Sequence, residues 1–392
     1  MRRWGSMALA ISFAAAALVG GPVTAAQSDV KADCVLAHPC FASTAVGKMA
    51  YIEYAPSGTR AGTPRTPAAT VILLHGYTDS KRSWSRAARQ LHAQDPSLRI
   101  IAIDQRGHGQ SFRPRSDQCR KNPAPCFSPK VMADDLAAFM DAMGIGSAYI
   151  AGHSMGSVVT QYFAKRHPDR TDGAILVATA ADVRGNPVLD SWLLKDTILG
   201  QWKPTVAAQG YAWPYDTITL NILDADPHGR AWLRDTWEAD PIAPRWFTSA
   251  IARDATAVRL QTWLGAAEAL GSVDNVKGLS RTTTPILALW GTQDAFFHKS
   301  DQKAVISSLK TAAKAGGSFC WKQYGVLPLS SDGEQTDDLG HPLQWEAPKQ
   351  VAQDIVSFIA TGKPTPDLYH SGAPDEVHRI VTEKGAAKVI CG

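Results

Sequence analysis

The sequence predicts an α/β fold: a doubly wound, mostly parallel sheet with an inserted helical cap. Three observations predict it. Short, largely apolar runs recur at residues 70–74 (TVILL), 99–103 (RIIAI), 147–151 (SAYIA), 173–178 (GAILVA) and 285–289 (PILAL), which suits strands buried on both faces of a parallel sheet. Helical patterns lie between them, as at 131–143 (VMADDLAAFMDAM), and strand–helix alternation is the signature of this class. Residues 182–277 break the alternation with no convincing strand run.

Composition sets the outer bounds. The 392 residues include 40 Lys+Arg against 36 Asp+Glu, for a net charge of +4, with 45% hydrophobic and 19% charged residues. This excludes whole-chain disorder, collagen and coiled coil. The near-balanced charge excludes a general nucleic-acid binder. The length suits two domains, or one large domain with an insertion.

The N-terminus reads as a signal peptide over residues 1–26. Arg2 and Arg3 are followed by an apolar run at 8–19 and small residues up to Ala26, and the run is shorter than the roughly 20 residues a membrane span needs. A secreted or periplasmic protein without a stable membrane anchor is expected. All six cysteines lie beyond residue 26, and an even count in an exported chain suggests disulfides. Sequence alone does not choose the pairing. The expectation is Cys34–Cys40 and Cys119–Cys126 as local loops, with Cys320–Cys391 pinning the C-terminal tail. No ligand spacing supports a zinc site.

From the first apolar run onward, each strand ends at chemistry-bearing residues. Run 70–74 leads into His75-Gly76-Tyr77, and run 99–103 into Asp104. A basic, proline-rich loop over 113–129 carries Cys119 and Cys126. Run 285–289 leads towards Asp294, residues 318–324 (SFCWKQY) read as the last strand, and 345–359 as the closing helix. Ligands on such sheets gather at the carboxyl ends of the strands. The expected division is a core of 27–181 and 278–392 with a cap of 182–277. The cap holds Trp192, Trp202, Trp213, Trp232, Trp237, Trp246 and Trp263, seven of the twelve tryptophans. Most are expected to form its own core, and two or three to line a pocket.

Gly152-His153-Ser154-Met155-Gly156 fits G-x-S-x-G between a strand and a helical stretch at 157–166. A serine on so tight a turn needs small residues two positions to either side, and the turn lifts its hydroxyl clear of the sheet.

With this pentapeptide, several other segments make the chain resemble α/β-hydrolases of the serine esterase/lipase type. His75-Gly76-Tyr77 resembles the H-G-x oxyanion loop, and Asp104-Gln105-Arg106-Gly107-His108-Gly109-Gln110-Ser111 resembles the D-x-R-G-x-G-x-S turn. Trp290-Gly291-Thr292-Gln293-Asp294 resembles the acid loop. Gly340-His341 with Glu346-Ala347-Pro348 resembles the terminal G-H-x4-E-x-P segment. The match covers residues 70–180 and 285–360, leaving out the cap, the cysteine loop and the tail. A long acidic stretch at 330–338 departs from the family pattern.

The resemblance implies a triad of Ser154, Asp294 and His341, in the chain order this family uses. His341 is the base that activates the serine, and Asp294 the acid that fixes its tautomer. Asp182, just after the preceding strand, is the rival acid. Backbone N–H groups of Tyr77 and Met155 are the expected oxyanion donors. His75 and His108 are expected to brace loops, and His153 to point away from the serine. Asp224-x-Asp226 echoes a calcium loop, but Pro227 and His228 spoil it. No cofactor and no metal are expected.

The implied activity is acyl-enzyme hydrolysis of a small, apolar or aromatic carboxylic ester, lactones included. Amide or prolyl-aminopeptidase-like hydrolysis and C–C cleavage remain open on the same triad. A serine at the elbow argues against the dehalogenase and epoxide-hydrolase branches, which need a carboxylate nucleophile. A non-catalytic binding protein is the reading from outside the enzymes. Neither substrate nor oligomeric state is legible.

Overall fold

The computed structural model describes residues 34–57, 67–240, 242–325, 339–366 and 388–392. Residues 1–26, expected to be a signal peptide, and the acidic stretch at 330–338 lie outside the described residues. Among the described residues, nine strands form one sheet. They are β1 (Cys40–Thr44), β2 (Gly47–Tyr54), β3 (Thr70–Leu74), β4 (Arg99–Ile103), β5 (Ala148–His153), β6 (Thr171–Val177), β7 (Ile286–Gly291), β8 (Phe319–Tyr324) and β9 (Val389–Cys391). Their spatial order is β1-β2-β4-β3-β5-β6-β7-β8-β9. Strands β3 to β8 are mutually parallel, while β1, β2 and β9 run antiparallel to their neighbours.

Strand side chains alternate between faces, so each apolar run feeds two cores. The helices that flank the sheet are α1 (Ser85–Gln94), α2 (Pro129–Ala142), α3 (Met155–Arg166), α4 (Lys299–Lys314) and α5 (Pro348–Thr361). Ile72 and Leu74 pack with Phe139 of α2 and Val158 and Phe163 of α3. Val71 and Leu73 pack with Leu91 of α1 and Val351 and Ile355 of α5. Ala174, Leu176, Ile286 and Ala288 meet Val305 and Leu309 of α4. This two-sided burial is why the central strands lack polar alternation.

The structure differs from the sequence reading at the edges. Strands β1, β2 and β9 are absent from the apolar runs that mark the other strands in the sequence. Strand β1 (CFAST) buries only Ala42, so it carries no apolar run, and β9 is three residues held beside β8. Residues 319–324 are therefore not the last strand. The expected helix at 345–359 is two, Leu343–Glu346 and α5, because Pro348 has no N–H to continue a helix and sits at the first position of a new one. The cysteine loop contains a short helix, Asp117–Lys121, capped by Ser116.

Between β6 and β7 the described residues form helices and no strand of the sheet. Pro187–Trp202 has π-type hydrogen bonding, and Arg245–Thr256 and Leu260–Gly271 follow. Trp202 and Trp263 are buried and meet edge to face at 5.2 Å, whereas Trp246 is exposed. Disulfides join Cys34–Cys40, Cys119–Cys126 and Cys320–Cys391. The last joins Cα partners in the β8–β9 register. No helix among the described residues is long and apolar enough to cross a membrane.

Candidate active site

Strand order reverses where β4 and β5 flank β3, and such a switch point opens a crevice at the strands' carboxyl ends. Leu74 of β3 pairs with Gly152 of β5, so the loop at 75–79 and the turn at 152–156 emerge side by side.

Ser154 occupies φ 50°, ψ −117° between β5 and α3, a conformation a non-glycine residue adopts only under constraint. Its N–H donates to Val177 O at 3.0 Å and its carbonyl accepts from Ser157 N at 2.9 Å. The flanking glycines have a steric cause. A Cβ at Gly152 would lie 2.1 Å from Gly156 O, and one at Gly156 would lie 2.4 Å from Leu74 O. Helix α3 can therefore start directly behind the serine. Met155 opens that helix, where backbone N–H groups have no intrahelical acceptor.

Asp294 follows β7, and His341 lies on the loop before Leu343–Glu346. His341 Nδ1–H donates to Asp294 Oδ1 at 2.8 Å. The same oxygen accepts the N–H groups of Phe296 and Phe297, each at 2.9 Å. This leaves His341 Nε2 as the ring's free lone pair. The imidazole is packed by Phe296 at 4.5 Å and Phe297 at 5.5 Å. Glu346 Oε2 accepts from Gly340 N at 2.8 Å and so fixes the residue before His341. Asp182 is engaged elsewhere. It pairs with Arg184 at 2.6 Å, which lowers its pKa, and it is not part of the cavity wall.

Ser154, His341, Met155 and Tyr77 all line one cavity of about 550 Å³, a size suited to a small molecule. Trp192 and Trp237 of the insertion and Trp345, Phe296 and Phe297 supply its aromatic walls. The Tyr77 hydroxyl donates to Trp263 O at 2.5 Å, and its ring meets Trp237 and Trp263 edge to face.

Two buried histidines hold the loop after β3. His75 donates from Nδ1 to Gly76 O at 2.8 Å and accepts Gln105 N–H at Nε2 at 2.9 Å. His108 donates to Arg106 O at 2.8 Å and accepts Thr78 N–H at 3.3 Å. Burial lowers both pKa values to about 3, so both rings are neutral braces. His153 lines the same cavity as Ser154, with Nε2–H donating to His341 O at 3.2 Å. Asp104 is structural: it takes Lys81 Nζ at 2.6 Å and Gln110 N at 2.9 Å.

Sequence reasoning missed Asp79, Glu238, Asp240, Phe296 and Phe297 on the cavity wall. Only Phe296 and Phe297, directly after the acid loop, carried a positional hint. Among the described residues no group of three or more His, Cys, Asp or Glu is arranged to hold a metal ion. The calcium-like Asp224 instead accepts from Asn221 N at 2.8 Å in a helix-capping box.

The chain belongs to the α/β-hydrolase fold family, whose model matches residues 69–348. It is 28% identical over 166 residues to epoxide hydrolase B of Mycobacterium tuberculosis, covering 42% of this chain and 44% of that protein, less than half its length. It is 24% identical over 312 residues to an epoxide hydrolase of Caballeronia sordidicola, covering 74% and 87%. The solved enol-lactonase from Burkholderia xenovorans LB400 superposes with a TM-score of 0.55 at 17% identity, covering 82% of this chain and 100% of that one, a likeness of fold alone.

Proposed function

We propose that the protein is an exported serine hydrolase that cleaves a carboxylic ester, lactones included, of an apolar or aromatic substrate. The observation that carries this is the shared cavity wall of Ser154, on its strained turn, and His341, held by Asp294. His341 Nε2 takes the Ser154 proton as Oγ attacks the substrate carbonyl. The oxyanion is held by the N–H groups of Met155 and Tyr77, donors of a kind worth about 3 kcal/mol each. The tetrahedral intermediate collapses, the C–O bond to the alcohol breaks, and His341 gives its proton to the departing oxygen. Water then attacks the acyl-enzyme, again through His341, and frees the acid and Ser154.

Two relatives are named for epoxides, yet the nucleophile favours esters. Attack by a serine hydroxyl on an epoxide carbon would leave an alkyl ether on the enzyme. An ether has no carbonyl for water to attack, so the enzyme would not turn over. Export is supported by the composition of residues 1–26 and by the three disulfides.

The test is hydrolysis of a p-nitrophenyl ester chain-length series by the mature protein and by Ser154→Ala, with fluorophosphonate labelling alongside. The expected result is turnover with a preferred chain length and labelling at Ser154, both lost in the variant. Turnover that persists in Ser154→Ala, or a wild-type protein that neither turns over nor labels, would overturn the proposal.

A further inference from the structure

His153 stands where three loops meet. It is the last residue of β5 and directly precedes Ser154. Its Nε2 lies 3.2 Å from the His341 carbonyl oxygen, and its ring meets the His341 ring at 4.9 Å. Among the described residues no other hydrogen bond reaches that carbonyl. At the other nitrogen, Nδ1 lies 3.8 Å from Asp79 Oδ2, too long for a hydrogen bond. Gly76 packs against the same edge of the ring: a Cβ there would lie 2.7 Å from His153 Nδ1 and 3.0 Å from Asp79 Oδ2. One imidazole on the serine turn therefore touches both the loop that carries Tyr77 and the loop that carries His341.

A neutral imidazole has one proton to place. On Nε2 it donates to the His341 carbonyl. On Nδ1 it would face Asp79 and leave that carbonyl without a donor. The shorter separation is on the carbonyl side. Burial holds the ring's pKa below the usual 6.5 against the pull of Asp79, so the ring is neutral above that pH. The other supports of His341 act elsewhere. Asp294 orients its ring, and Glu346 holds Gly340 before it. Neither holds its carbonyl.

We infer that His153 is a positioning residue: from the turn that carries Ser154, its Nε2–H fixes the main chain of His341 and so sets the approach of His341 Nε2 to the serine hydroxyl. Proton transfer needs hydrogen-bond reach, and a misplacement of about 1 Å can cost about 100-fold in rate. Because His153 and Ser154 are adjacent in the chain, a shift of the turn carries His341 with it and the two stay in register. This inference rests on the serine-hydrolase reading above and adds a residue that acts through His341.

The test compares His153→Gln with His153→Leu on the p-nitrophenyl ester that the wild type prefers. Both side chains are close to the imidazole in size, but only glutamine can return an N–H to the carbonyl. In His153→Leu, kcat should fall about 100-fold with KM within about twofold, and His153→Gln should recover at least about tenfold of the loss. An undiminished kcat in His153→Leu, equal losses in both variants, or a loss carried by KM would overturn the inference. Nitrogen-15 NMR of the histidine-labelled wild type at neutral pH reads the ring without turnover and without a variant that must fold. The proton is expected on His153 Nε2, and a proton on Nδ1 instead would overturn the inference while serine-dependent turnover kept the hydrolase reading. A wild type that neither turns over nor labels, with the proton on Nε2, would sink the hydrolase reading and leave the tie between the loops in place.

Discussion

The Tyr77 hydroxyl donates to the Trp263 carbonyl across 186 residues of sequence. It joins the loop that carries one of the proposed oxyanion donors to the helix Leu260–Gly271, between β6 and β7. Trp237 adds a second tether, with Nε1–H donating to Thr78 Oγ1 at 2.9 Å. Tyr77→Phe keeps the ring contacts and removes this one hydrogen bond, while the Trp263 carbonyl stays within its helix. Urea unfolding should show a loss of about 0.5–1.5 kcal/mol, with kcat reduced because the loop is less firmly placed. Unchanged stability would mean that water replaces the phenol there.

Asp294→Asn tests the acid. The asparagine side chain can present an N–H to the imidazole, which would turn the ring's donor towards Ser154 and remove its free lone pair. A fall in kcat of about 10⁴-fold with a near-constant KM is expected from the behaviour of such triads. The matching change at Asp182, paired with Arg184, should leave kcat within about twofold, the small effect usual for a surface pair. A large loss at Asp182 and none at Asp294 would reverse the assignment.

Stability should depend on pH through opposing groups. His75 and His108 have folded pKa values lowered to about 3 from 6.5, with burial as the leading cause. Below pH 6.5 the unfolded chain binds protons that the folded one refuses, so their contribution is lost as pH falls towards 3. Burial raises the Glu238 pKa well above 4.5, with the Asp79 carboxylate adding to it. Its contribution is present below pH 4.5 and lost as pH rises through the folded value. Glu238→Gln should therefore be more stable than wild type at pH 8, and that advantage should shrink as pH approaches 4.5. Denaturant titrations at several pH values read the difference, and a constant offset would contradict it.

The Cys320–Cys391 bond spans 71 residues of sequence. On the chain-entropy account, a loop of that length is worth about 4 kcal/mol. Replacing both cysteines with serine should lower Tm by several degrees and free β9 from β8, seen as faster hydrogen exchange at the strand's amides. The local Cys34–Cys40 and Cys119–Cys126 bonds close much shorter loops, so their removal should cost less.

The central sheet and the Ser154 turn were legible because backbone sterics dictate them. Buried parallel strands require apolar residues at every position, and Gly152 and Gly156 are demanded by carbonyl oxygens little more than 2 Å from where a Cβ would sit. Strands β1 and β2 were not legible, since an edge pair needs no unbroken apolar run. The carboxylates of the cavity were not legible either. Asp79, Glu238 and Asp240 lie on segments without helical or strand periodicity, and their meaning depends on neighbours more than 100 residues apart in sequence. Asp294 was separable from Asp182 only by its surrounding motif, and the structure adds a physical distinction: one faces the imidazole and the other a guanidinium.

The tryptophans of the insertion have a consequence for how the protein can be observed. Trp192 and Trp232 both stack on Trp237, at 6.0 Å and 5.7 Å, and Trp263 lies 5.6 Å from it. Indoles this close share excitation energy, so light absorbed by any of them migrates through the group. Trp237 lines the cavity and touches Phe296, whose ring covers His341. A molecule arriving there would change the surroundings of an indole in contact with the rest of the array, so occupancy can be read from the unlabelled protein's own emission.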